Sequence, residues 1–299
     1  MPRGKRFGPR LIVAASAVAL GLALFALLIG ARAFRMEAAS FHPERGPVAL
    51  PADPLLRGLR PVAFHSDDGT ALAGWYLPSR TGAAVLLLHG SEADRTQLLP
   101  EARLLAPAGF GLLLFDWPGH GESAGMVHWG AGERAALRAA TDWLSRQRDL
   151  NPARLGALGF SSGGAILVEE AATDPRLRAL VLEGTYSDAA ELTCDQFKSW
   201  GLPAQLGALF ADRHFGMDLH EPQPVQLVAA LAPRPLFIIA GENDSVVPNA
   251  MAHALYAAAA EPKTLWIIPG CGHGGYAQAA SGALGPRLTQ FFLRALSPR

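Results

Sequence analysis

The chain has two cysteines among its 299 residues, Cys194 and Cys271. That is too few for a disulfide framework, and the pair lacks zinc-ligand spacing. A single bridge between them stays open if the chain is exported. Charge is also scarce. Asp, Glu, Lys and Arg make up 17% of the residues, and 26 basic side chains balance 26 acidic ones. With no net charge and no basic stripe beyond the N-terminus, nucleic acid is not an expected partner. There is no internal repeat, and no low-complexity tract beyond a bias towards Ala, Leu, Gly, Pro and Arg. The length allows one large domain or two small ones, and half of the residues are apolar, ample for a sizeable core.

The first 35 residues differ from the rest. "MPRGKRFGPR" carries Arg3, Lys5, Arg6 and Arg10 and no acid. Leu11 to Ala31 then runs without a charge, about the 20 residues that cross a bilayer as a helix. A secretory signal has an apolar core of only about 7–15 residues, so residues 1–35 read as a leader and an uncleaved transmembrane anchor. Ala31-Arg32-Ala33 keeps a cleaved signal peptide as the alternative. The basic leader predicts a cytoplasmic N-terminus and a domain outside the cytoplasm, the periplasmic side of a bacterial inner membrane. Residues 36–60 read as a Pro-rich linker, and the globular part spans 61–299.

Within it, "AAVLLLHG", "GFGLLLFD", "RLGALGF", "LRALVLEG", "RPLFIIAG" and "KTLWIIPG" are short apolar runs without alternation. Such runs suit strands buried on both faces. Helical stretches are predicted between them, over 96–106, 132–148, 250–260 and 284–296. Alternating strands and helices predict a mostly parallel sheet with helices on both faces. Functional residues then belong just past the carboxyl ends of the strands.

Those loops hold the chemistry. In "GFSSGG", Ser161 has Gly159 two before and Gly163 two after, the G-x-S-x-G frame of a nucleophile on a tight strand-to-helix turn. Ser162 lacks that frame. "GENDSVVP" supplies Asp244 and "GCGHGG" supplies His273. His273 suits a general base and Asp244 the carboxylate that orients it. Glu242, two residues away, is the competing acid. Backbone N–H groups after Ser161 and after the "HG" turn suit a developing oxyanion.

Carried by "LLLHGS", "DWPGHGES", "GFSSGG", "GENDSVVP" and "GCGHGG", the chain from Pro61 onward resembles the α/β-hydrolase superfamily. With its N-terminal span it is most similar to the membrane-anchored, Bem46-like serine hydrolases. The resemblance implies an α/β-hydrolase fold with a short lid, and a triad of Ser161, Asp244 and His273. It also implies oxyanion donors at the N–H groups of Ser91 and Ser162. Gly241, Val247 and Pro248 align with the family's acid loop and favour Asp244 over Glu242. Ser91 departs from the Asn or aromatic residue common in relatives.

Other features are read as structural. His89 and His120 organise their loops. Asp212, His214, Asp218 and His220 match no zinc motif and read as a solvated loop, so no metal site is assigned. Gly270, Gly272 and Gly275 form G-x-G-x-x-G, but no acid follows Gly275 to hold a ribose. Residues 185–232 are the candidate lid. Trp200, Leu202, Leu206, Leu209, Phe210 and Phe215 give it apolar surface, suited to an acyl group or to packing on the sheet.

The expected activity is hydrolysis of a carboxylic ester or thioester through an acyl-enzyme, on a small-molecule acyl substrate and without a cofactor. The competing expectations are a serine peptidase of prolyl-oligopeptidase type and a catalytically silent, membrane-tethered binding module.

Overall fold

A computed structural model describes residues 9–298. Its first element is α1 (Pro9–Glu37), long and apolar enough to cross a membrane. The basic leader up to Gly8 lies outside the described residues. Then come β1 (Arg60–His65), β2 (Ala71–Leu77), β3 (Ala84–Leu88), α2 (Leu99–Leu105), β4 (Gly111–Phe115) and α3 (Ala131–Ser145). β5 (Leu155–Phe160), α4 (Ser162–Ala171), β6 (Leu177–Glu183), α5 (Ala189–Gln196), α6 (Leu202–His214) and α7 (Pro224–Leu227) follow. β7 (Leu236–Gly241), α8 (Asn249–Ala258), β8 (Lys263–Ile268), α9 (Tyr276–Ala279) and α10 (Leu284–Ala295) end the chain.

The strands form one eight-stranded sheet in the order β1-β2-β4-β3-β5-β6-β7-β8. β2 runs antiparallel to β1 and β4, and every other pairing is parallel. This is the α/β-hydrolase fold. The unbroken apolarity of β3 and β4 has a direct cause. Leu86, Leu88, Leu113 and Phe115 join the core beneath α3 and α4. Val85, Leu87, Leu112 and Leu114 join the core beneath α2 and α10. Successive side chains point to opposite faces, and helices cover both.

Two expectations meet a different outcome. The helix predicted from residue 96 begins as a tighter turn at Arg95–Leu98, and α2 proper starts at Leu99 with Pro100 in its first turn. A proline fits there because its missing N–H would have no partner. The stretch read as a linker lies on the body. Phe41, Leu56 and Leu59 are buried, Phe41 stacks on Phe215, and the Arg45 guanidinium donates to the Ser123 carbonyl at 2.5 Å.

Candidate active site

Ser161 sits between β5 and α4 with φ +52° and ψ −123°. Positive φ is uncommon for a side chain with a Cβ, and the surroundings hold it. The Ser161 N–H donates to the Glu183 carbonyl at 2.8 Å. The glycines around it are required by contact. A Cβ on Gly159 would stand 2.6 Å from the Gly163 carbonyl oxygen, and one on Gly163 would collide with that of His89. The frame read from the sequence is thus what lets β5, α4 and the turn after β3 approach this closely.

The loops after β7 and β8 bring Asp244 and His273 to the same place. Asp244 is buried, and its Oδ1 accepts the N–H groups of Val246 and Val247 at 2.9 and 2.8 Å. That leaves Oδ2 for the imidazole, to which His273 Nδ1 donates at 2.7 Å. With that proton on Nδ1, Nε2 accepts the Ser161 hydroxyl at 3.2 Å. Glu242 takes no part in this chain of contacts, since its carboxylate accepts the Gly270 N–H at 2.9 Å. The Phe160 ring lies 4.8 Å from the imidazole.

Ser162 opens α4, where a first-turn N–H has no intrahelical acceptor. Ser91 follows the turn after β3. Among the described residues neither amide donates to another backbone carbonyl. The Ser162 hydroxyl is buried without a hydrogen-bond partner among them.

Around this centre His89 and His120, the two loop organisers, are fixed and neutral. His89 Nδ1 donates to the Gly90 carbonyl at 2.7 Å, and its Nε2 accepts the Trp117 N–H at 3.1 Å. Burial, then the neighbouring His120, hold its pKa well below the ordinary imidazole value. His120 donates to the Pro118 carbonyl at 3.1 Å, and burial lowers it to about 4. Cys194 and Cys271 are both free thiols. Burial pushes the Cys271 thiol up, so neither a bridge nor a thiolate stands beside His273. The polar cluster on the candidate lid is split. Asp212 is buried on the inner side of α6 and accepts the Thr193 hydroxyl at 2.9 Å, whereas His214, Asp218 and His220 are at least partly exposed.

Several residues here are given no role by the sequence reading. Asp116 accepts the Arg95 backbone N–H at 2.8 Å and its guanidinium at 2.6 Å, both groups buried. The same carboxylate fills the space where a Cβ of Gly121 would go. Glu183, at the end of β6, is buried with neither carboxylate oxygen bonded among the described residues. Burial, then the Glu101 carboxyl, raise its pKa well above the carboxylate range. A cavity of about 290 Å³ opens over Ser91 and Ser162, between Trp129, Tyr186, Leu192 and Met217, and Met36 and Glu37 of α1 reach its wall. Glu183 and Tyr186 lie at the carboxyl end of a strand, and the rule applied to the other loops would have found them. Nothing local marks Met36 and Glu37.

The model for proteins of alpha/beta hydrolase fold matches residues 83–223. An uncharacterized protein of Mycobacterium tuberculosis is 36% identical over 236 residues, 78% of either chain. The Escherichia coli protein YfhR is 29% identical over 247 residues, 80% of this chain and 82% of its own. Among solved structures, the Pyrococcus furiosus esterase Pf2001 superposes with a TM-score of 0.74 at 20% identity, over 86% of this chain and 98% of that one. At that identity the superposition speaks to the fold alone.

Proposed function

The chain belongs to the alpha/beta hydrolase family, and from that premise we propose that it is a serine hydrolase cleaving a carboxylic ester or thioester. The observation that carries this reading is the imidazole of His273, 2.7 Å from Asp244 and 3.2 Å from the Ser161 hydroxyl. Those are general-base distances, on a nucleophile whose backbone is held at positive φ. Ser161 Oγ attacks the acyl carbon while His273 Nε2 takes its proton. Asp244 stabilises the imidazolium and holds the ring. The N–H groups of Ser91 and Ser162 donate to the oxyanion. Collapse expels the alcohol or thiol, which leaves with the proton from Nε2. Water then enters by the same route and releases the acid.

Within the family the chain reads as one of the membrane-anchored, Bem46-like enzymes, with α1 as the anchor and the body outside the cytoplasm. Support comes from the length and apolarity of α1 and from the basic leader before it. A fluorophosphonate probe tests the chemistry. Label is expected on Ser161, lost in Ser161→Ala and kept in Ser162→Ala, which removes an unbonded hydroxyl and retains the N–H. Wild-type protein that is folded and unlabelled would favour a silent binding module. Loss of label in Ser162→Ala alone would move the nucleophile.

A further inference from the structure

Arginines stand at the feet of three central strands. Arg154 precedes β5 in "PARLGAL", Arg178 is the second residue of β6 in "PRLRALV", and Arg234 precedes β7 in "APRPLFI". A fourth, Arg294, lies in the last turn of α10. Together they line one cavity of about 860 Å³ at the amino ends of these strands. Ser161 follows the carboxyl end of β5, so the cavity lies at the opposite end of the sheet from the candidate triad. Met36 and Glu37, at the end of α1, are likewise on the far side, beside Ser162. No Asp, Glu or His lines the cavity, and the rest of its wall is Ala, Pro and neutral polar residues.

Two of these guanidinium groups are tied to the fold. Arg234 is buried and donates only to backbone carbonyls, those of Ala171 at 2.6 Å, Asp174 and Leu231 at 2.9 Å, and Leu177 at 3.3 Å. Ala171 ends α4, where carbonyls lack intrahelical donors. That accounts for the place of Arg234, yet neutral acceptors leave its charge uncompensated. Arg154 donates in the same way to the carbonyls of Leu296 and Thr81. The other two are not tied. Leu155 pairs with Leu177 and Gly156 with Ala179, so Arg178 is the extra residue of a bulge, a device that re-aims a side chain. Arg294 is exposed. Among the described residues neither enters an ion pair. Burial lowers the Arg234 pKa, the Asp174 carboxylate offsets part of that, and the charge of Arg178 lowers it further. Asp174 is itself gripped by the guanidinium and backbone N–H of Arg176 and does not line the cavity.

We infer that this cavity is a binding site for a small soluble phosphate compound carrying two or more negative charges. A concave wall of one sign focuses its field on the space it encloses. Guanidinium groups present planar forks to oxyanions. A phosphate offers three acceptor oxygens and about two charges on one centre, where a carboxylate offers one charge. Arg178 and Arg294 supply the donors, and Arg154 and Arg234 a fixed positive field behind them. Four charges around one cavity, and not along a stripe, suit a compact ligand better than a nucleic acid or an acidic chain. The volume is within the range of about 300–1,000 Å³ found for small-molecule sites. Because α1 joins the body at the other end of the sheet, the ligand comes from solution and not from the lipid around the anchor. The inference is independent of the serine-hydrolase reading.

Calorimetric titration of the full-length protein in neutral detergent with inorganic pyrophosphate, at about 50 mM salt, tests it. One site per chain is expected, with a Kd of about 100 μM or below. The double variant Arg178→Gln, Arg294→Gln should weaken binding about thirtyfold or more. Its melting temperature should be within a few degrees of wild type. Arg294→Gln alone, at an exposed position, should cost about fivefold. The control pair Arg57→Gln, Arg213→Gln removes the same charge from exposed sites elsewhere and should cost less than about threefold. Absence of pyrophosphate binding overturns the inference. Equal weakening in both pairs also overturns it, by reducing the effect to net charge. Citrate bound as tightly as pyrophosphate, or an oligo-aspartate peptide bound in its place, overturns the phosphate assignment. In phosphatidylcholine vesicles, phosphatidic acid in the protein's own bilayer should leave pyrophosphate bound; displacement would make the ligand a lipid headgroup and overturn its source in solution.

Discussion

Replacing Asp244 by Asn tests the candidate triad with little change of shape. The outcome follows from which atoms already hold the carboxylate. Oδ1 accepts two backbone N–H groups, from Val246 and Val247. An amide at this position must keep its oxygen there, because its NH₂ would otherwise face two donors. The NH₂ then takes the place of Oδ2, 2.7 Å from His273 Nδ1, and donates to it. Nδ1 becomes an acceptor and the proton moves to Nε2, facing the Ser161 hydroxyl it should deprotonate. In a serine protease the same exchange lowers kcat by about 10⁴, or about 5.5 kcal/mol in the barrier. A comparable loss in kcat is expected here, with KM for p-nitrophenyl butyrate little changed and the melting temperature within a few degrees. Glu242→Gln, whose carboxylate accepts only the Gly270 N–H among the described residues, should stay within a few-fold. If Asp244→Asn kept a tenth of its activity, or if Glu242→Gln were the inactive variant, the acid has been assigned to the wrong residue.

Three further outcomes are expected. Gly159→Ala drives a methyl group into backbone of α4 and should cost about 1–3 kcal/mol along with most of the activity; Gly272→Ala, with nothing within 4 Å, should be tolerated, and equal effects in denaturant titrations would refute the role given to the glycines around Ser161. Burial lowers His120 from 6.5 to about 4, so between those values the unfolded chain binds the extra proton; wild type should lose up to about 3 kcal/mol relative to His120→Gln as pH falls from 7 to 4, and a difference independent of pH would show that His120 is not held neutral. Full-length protein should resist alkaline extraction from membranes, and protease added to intact spheroplasts should reach the body; a protected body inverts the orientation, and a soluble product beginning near Ala33 makes the segment a cleaved signal.

The sheet was legible because burial on both faces leaves a plain mark, an apolar run with no alternation, as in Val85 to Leu88. Ser161, Asp244 and His273 were legible because each follows such a run, and glycines flank the first of them. The pairing of Arg95 with Asp116 was not, because a buried ion pair between residues 21 apart has no period. Nor was the direction of the apolar side chains on α6. Leu206 and Ala208 are both apolar in the sequence, and only contact with Gly30, far away along the chain, decides which of them faces out. For the same reason Met36 and Glu37 read as the end of an anchor and not as the wall of a cavity.

The passage from α1 into the body has no slack. The helix ends at Glu37, a single tight turn covers Ala38–Phe41, and Phe41 is already buried. With α1 spanning a bilayer as proposed, so short a tether holds the candidate triad at one height and one tilt above the surface, and the reach of the site is set by the fold and not by the length of a leash.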